Sequence, residues 1–115
     1  MSFFRSLFGS SALESDVIKV LSPSEFKAGI KKGKVQVVDV RTPVEFKSGH
    51  ISKAKNIDFF QRSSFKTKLE KLNKTQPLYL YCRSGSRSKK AAGIAESLGF
   101  EEIYDLKGGF INFNK

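Results

Sequence analysis

One cysteine, Cys82, stands between an apolar run, Leu78-Tyr79-Leu80-Tyr81, and a small polar loop, Arg83-Ser84-Gly85-Ser86-Arg87. A helical pattern begins directly after it, at Ser88, and runs to Leu98. A thiol at the carboxyl end of a strand, facing the amino end of a helix, sits where an open α/β sheet places its ligands. Gly85 lets the backbone curl around a single point. Successive N–H groups in such a curl make a nest for an anion. The helix adds its partial positive end, and Arg83 and Arg87 add full charges. Each of these favours a thiolate, the reactive form of cysteine. One pKa unit is worth about 1.4 kcal/mol, and several contributions act together. The loop therefore predicts a Cys82 that is largely ionised at neutral pH and open to solvent. The same cradle would hold the terminal sulfur of a persulfide or the anionic end of a substrate.

Other side chains offer less. The only histidine is His50, and no acid lies near Cys82 in the chain, so the loop does not read as a hydrolase dyad. A free cysteine is often a small buried residue without chemistry. The glycine loop and the two arginines argue for a working site instead. Asp39 and Arg41, two residues apart, read as a structural pair holding a loop. His50 reads as the anchor of a turn, Glu45 as a helix cap, and Tyr79 and Tyr81 as packing residues, with Tyr81 also a candidate for lining the pocket. Ser84 and Ser86 enter through their backbone. One cysteine and one histidine are too few for a usual metal-ligand set, so neither a metal nor a cofactor is expected.

The elements that must position this loop can be read from periodicity and punctuation. Val17 to Leu21 is a short strand. Ser22-Pro23-Ser24-Glu25 has the form of a capping box with proline at the first helical position, and Gly29 and Gly33 weaken and end that helix. Val35 to Asp39 is β-branched and nearly continuous in apolar character, as buried strands are. Thr42-Pro43-Val44-Glu45 repeats the cap pattern, and Gly49 ends its helix. Ala54 to Ile57 is a brief strand. Ser63 to Asn73 is helical, with Phe65, Leu69 and Leu72 on one face. Pro77 to Cys82 is a strand, and Ser88 to Leu98 a helix closed by Gly99, with Phe100 folding back on it. Glu102 to Leu106 is the last strand, and Phe110 to Phe113 a short final helix. Strands alternating with helices imply an α/β fold, a mainly parallel sheet covered on both faces.

The chain has 115 residues and is 39% hydrophobic, enough for one domain with a core. A single cysteine forms no internal disulfide, and a working thiol suits a reducing cytoplasm. The net charge of +10 comes from 21 basic and 11 acidic residues. It is spread along the chain, densest at Arg62, Lys66, Lys68, Lys71 and Lys74, and reads as a solvated helix face rather than a nucleic-acid module. A positive field would still gather small anions. The apolar start, Met1 to Gly9, is short and broken by Arg5, unlike a signal peptide. No stretch nears the ~20 apolar residues of a membrane span. The expectation is an extension over residues 1–13, with freedom to be flexible, and a single domain over residues 14–115.

Two separated blocks together resemble the rhodanese family. The first is Val38-Asp39-Val40-Arg41-Thr42-Pro43-Val44-Glu45-Phe46, followed by Gly49-His50-Ile51 and Ala54-Lys55-Asn56-Ile57. The second is Leu80-Tyr81-Cys82-Arg83-Ser84-Gly85-Ser86-Arg87-Ser88, followed by Ala91-Ala92, Leu98-Gly99-Phe100 and Leu106-Lys107-Gly108-Gly109. The resemblance covers most of residues 17–113. It implies a rhodanese fold, with a parallel sheet of about five strands between helices, and a sulfurtransferase. In that family the loop cysteine takes a sulfane sulfur from thiosulfate, becomes a persulfide, and yields the sulfur to cyanide or another thiol by ping-pong covalent catalysis. Carried onto this chain, Cys82 is the nucleophile. The N–H groups from Arg83 through Ser84, Gly85, Ser86 and Arg87 to Ser88 stabilise the persulfide, and Arg83 and Arg87 hold the anionic donor. The implied partners are a small anionic sulfur donor, a thiol or cyanide acceptor and, in a relay, a second protein; a monomer is expected. The family often carries a tryptophan after the double glycine. This chain has none, and Phe110 or Phe113 is expected in that space.

Two rival readings follow from the same residues. One is a carrier or non-catalytic module that docks on a partner protein. The other is a phosphatase or arsenate reductase. Cysteine phosphatases resemble this loop but set one residue more between cysteine and arginine than the four that separate Cys82 from Arg87. The shorter loop fits one sulfur better than a tetrahedral phosphate.

Overall fold

A computed structural model describes residues 15–114. The extension expected over residues 1–13 lies outside the described residues. Strands β1 (Ile18–Leu21), β2 (Gln36–Asp39), β3 (Lys55–Asn56), β4 (Leu78–Tyr81) and β5 (Ile103–Leu106) form one sheet in the order β1-β5-β4-β2-β3. Every pairing is parallel. Between them run α1 (Pro23–Lys31), α2 (Pro43–Lys47), α3 (Arg62–Glu70) and α4 (Ser86–Ser97), and α5 (Phe110–Phe113) follows β5. The five-stranded α/β architecture is the one the alternating pattern implied.

Both capping boxes form. Ser22 accepts from the Glu25 N–H while Glu25 returns a bond to the Ser22 N–H, and Thr42 and Glu45 repeat the exchange at α2. Proline at the first turn costs neither helix a hydrogen bond, because that N–H has no intrahelical partner. Most boundaries shift by a single residue, and two helix ends shift by more. The third helix closes at Glu70 rather than Asn73. The fourth begins at Ser86 rather than Ser88, because Gly85 at φ +112 turns the chain straight into it.

The sheet separates two cores. Side chains alternate across a strand, so Leu78 and Leu80 of β4 join Phe65 and Leu69 of α3 and Ala91, Ala92 and Ala95 of α4 on one face. Tyr79 and Tyr81 join Phe26 of α1 on the other, against Phe110 and Phe113 of α5. Phe26 meets both tyrosine rings edge-on, with centroids 5.1 and 6.5 Å away. All four residues of β4 are buried, as a central parallel strand requires. Small alanines let α4 lie close on the sheet, directly behind the loop that β4 feeds. Among the described residues no helix is long and apolar enough to cross a membrane.

Candidate active site

Cys82 follows the last residue of β4 and shares the face of Leu78 and Leu80. It is only 1% exposed. The expectation of a sulfur open to solvent is corrected here. The alternation of β4 aims the side chain inward, and the loop after it closes over the sulfur. Two of the amides expected around it, those of Gly85 and Ser88, nevertheless face it. Cys82 Sγ accepts the Gly85 N–H at 3.1 Å and the Ser88 N–H at 3.3 Å. Gly85 is the N-cap of α4 and supplies no side-chain cap bond. An N–H in the first turn of a helix has no partner inside it, and here the cysteine sulfur fills the place of the usual capping oxygen. The helix end is thereby aimed at the sulfur.

Ser88 sits on the same sulfur by a second route. Its Oγ lies 3.5 Å from Cys82 Sγ and 2.6 Å from Asp105 Oδ1, with a longer 3.3 Å contact to the Gly85 carbonyl. Asp105 is buried near the end of β5. Burial pushes its carboxyl up to about 6, against the opposing pull of Ser88 and Lys89. Sequence reasoning missed this acid, because β5 rather than chain proximity brings it to the loop. Its signal was present as an acid between Tyr104 and Leu106 in a strand otherwise built for burial.

The arginines divide. Arg83 is exposed, as are Ser84 and Ser86. Arg87 binds Glu45 through both terminal nitrogens, at 2.7 and 3.0 Å. Glu45 raises the guanidinium first and burial opposes it; the sulfur of Cys82 is a smaller influence in the same upward direction. The hydrogen bonds from Arg87 in turn hold Glu45 down at about 2. Glu45 also closes the α2 cap, so one carboxylate serves helix and loop together.

Asp39 and Arg41 form the structural pair expected of them. Arg41 Nη2 lies 2.6 Å from Asp39 and 2.7 Å from the Gly49 carbonyl. Its guanidinium stands 4.5 Å from the centroid of Phe110, the residue after the double glycine. His50 is exposed, donates from Nδ1 to the Phe46 carbonyl at 2.9 Å, and stacks on the Phe46 ring. Tyr81 is fully buried, and its hydroxyl accepts the Ile51 N–H. The double glycine itself supports the loop. The Phe110 N–H donates to the Cys82 carbonyl at 2.8 Å, and the Ile111 N–H donates to that of Arg83 at 3.1 Å. A side chain at Gly109 would lie 2.3 Å from the Arg83 oxygen.

A cavity of about 570 Å³ opens beside the loop, lined by Ser84, Ser86, Lys89, Asp105 and Lys107 among others. A larger one, about 680 Å³, lies around Ile30, Val37, Ile51 and Phe113 and holds no residue of the cysteine loop. Chemistry rather than size marks the site.

The comparisons agree with this geometry. Residues 22–115 match the family of rhodanese-like domains. The chain is 38% identical to the Bacillus subtilis protein YqhL over 95% of its own length and 82% of that protein's. It is 32% identical to the thiosulfate sulfurtransferase GlpE of Pseudomonas aeruginosa, with 84% of each covered. It is also 34% identical to the tRNA uridine(34) hydroxylase of Pelagibacter ubique, but spans only 32% of that longer protein. The rhodanese-like domain protein of Staphylococcus aureus superposes with a TM-score of 0.73 at 31% identity, covering 84% of this chain and 92% of that one. Fold, cysteine loop and relatives converge, and the chain belongs to the rhodanese-like family.

Proposed function

We propose that this protein is a sulfurtransferase that carries a sulfane sulfur on Cys82. The observation that carries the reading is the pair of N–H groups, from Gly85 and Ser88, aimed at one buried sulfur at a helix amino end. Those donors stabilise negative charge on sulfur wherever it develops. Cys82 thiolate attacks the outer sulfur of a donor such as thiosulfate. The new S–S bond forms as the bond to the sulfonate sulfur breaks, and sulfite leaves with the electron pair. An acceptor thiolate or cyanide then attacks the terminal sulfur and releases Cys82 as thiolate.

The burial of Cys82 supports a cargo of one atom. Arg83, exposed on the loop, draws in the anionic donor, while Arg87, tied to Glu45, fixes the loop. The likeness to a thiosulfate sulfurtransferase of matching length supports small-molecule turnover, and a lone free cysteine supports a reducing, cytoplasmic setting. A relay to a partner protein is the second reading. It is favoured by the relatives in which a matching segment is about a third of a longer chain.

Mass spectrometry after thiosulfate treatment decides the chemistry. One added sulfur, removable by reductant and absent from a folded Cys82→Ser protein, is the expected result. Sulfur uptake by Cys82→Ser, or none by the parent with any persulfide donor, overturns it. Turnover of a phosphate ester in its place would favour the phosphatase reading.

A further inference from the structure

A buried thiol that is to become a thiolate must pass its proton to a neighbour. Ser88 is fully buried and Asp105 is 6% exposed. The Ser88 hydroxyl has one proton, and its 2.6 Å contact commits that proton to Asp105 Oδ1. Its lone pairs are then left for the thiol proton of Cys82, 3.5 Å away. Thiol, hydroxyl and carboxylate make one directed chain. We propose that Cys82 and Asp105 share one proton through the Ser88 hydroxyl, so that Asp105 is the positioning residue that takes up the thiol proton when the thiolate forms.

The step balances without any co-reactant. The Cys82 S–H bond breaks and its proton passes to Ser88 Oγ. The Ser88 proton passes to Asp105 Oδ1, no electron changes hands, and the net charge of the trio is unchanged. Ser88 O–H then points at the sulfur as a third donor, beside the Gly85 and Ser88 N–H groups. The use of this proton in sulfur transfer rests on the function proposed above; the geometry does not.

The surroundings make Asp105 a better proton acceptor than an ordinary carboxylate. Burial raises its carboxyl to about 6, while the Ser88 hydroxyl and Lys89 of α4 act in the opposite direction. The neighbouring strands present Val20 from β1 and Leu80 from β4 in register with it, and neither titrates. Glu96 of α4 and Lys107, just beyond β5, share the cavity that Asp105 lines. That cavity, which Ser84, Gly85 and Ser86 of the cysteine loop also line, brings Asp105 within reach of solvent.

The thiolate's ultraviolet absorbance tests this directly. The chain has one cysteine, and all three tyrosines are pushed above their ordinary range by burial or by Glu102, so they stay silent below about pH 9. The unmodified protein is expected to titrate in two steps, the lower near the range of Asp105, because a shared proton yields two macroscopic ionisations. Asp105→Asn is expected to titrate in one step. It should displace the main step downward by about one pH unit, a tenfold change in thiolate fraction. In a Ser88→Ala background the same substitution should displace it by less than half as much. A single step in the unmodified protein overturns the proposal without any variant. So does an equal displacement in both backgrounds, which would mean plain charge repulsion through space. Persulfide mass analysis run in parallel separates the two ideas. Two steps without sulfur loading sinks the sulfurtransferase reading alone, and loading with one step sinks the shared proton alone.

Discussion

Arg87 and Glu45 lock the cysteine loop to the first turn of α2. The two hydrogen bonds, 2.7 and 3.0 Å, join a residue in the first turn of α4, where the loop after β4 ends, to one in the helix after β2. The guanidinium ring of donors matches a carboxylate bidentately, which fixes orientation as well as distance. The same carboxylate already accepts the Thr42 N–H at 3.0 Å. A cap that the chain needs for α2 is thus also the brace that holds the loop over Cys82.

That brace has a pH signature. The Glu45 carboxyl is held down at about 2, chiefly by Arg87. A carboxyl depressed on folding contributes stability above its unfolded value, and that contribution is lost as pH falls through the folded one. Glu45→Gln should therefore be less stable than the parent at neutral pH, by about 1 kcal/mol for a partly exposed ion pair. The gap should narrow steadily below about pH 4. Urea unfolding midpoints of both proteins across this range measure it; a gap that stays constant into acid would count against the pair.

Gly109 lies too close to the loop backbone to admit a side chain. Its φ of +69 disfavours side chains, and a Cβ there would meet the Arg83 and Ser84 backbone at 2.3 to 2.6 Å. Backbone atoms cannot swing aside as a flexible side chain can. Gly109→Ala should cost about 2–4 kcal/mol from strain and overpacking together, and it should slow sulfur loading of whatever folds. Gly93, on α4 with open space where its Cβ would go, is the matched control. Gly93→Ala should hold or raise stability by about 0.5–1 kcal/mol. Denaturant midpoints that rank the two the other way would refute the close-approach argument.

Asp39 and Arg41 are both buried, and the guanidinium donates from Nε and Nη2 to Asp39 and from Nη2 to the Gly49 carbonyl. Asp39→Ala would leave a charge in the interior without its partner. Such a loss costs about 3–5 kcal/mol, far more than the removal of a surface pair. Guanidinium denaturation reads it directly, and a loss below about 1 kcal/mol would mean that Arg41 finds other partners or water.

Local chemistry alone determined much of this protein. The two capping boxes needed only the order of side chains within four residues, and they form at Ser22 and Thr42 as that order implies. The parallel sheet followed from apolar strand runs alternating with helical periods. Cys82, with a glycine and two arginines in the loop after it, marked a candidate thiol site from spacing alone. Tertiary structure decided the rest, because its contacts join residues far apart in the chain. The inward aim of β4 buried a sulfur that the loop's polarity suggested would be open. The meeting of α2 with the loop gave Arg87 to Glu45. The register of β5 beside β4 set Asp105 behind Ser88. A charge in a short motif states what it could bind; only packing fixes which neighbour reaches it first, since hydrogen bonds and desolvation act over a few ångströms of space and take no account of distance along the chain.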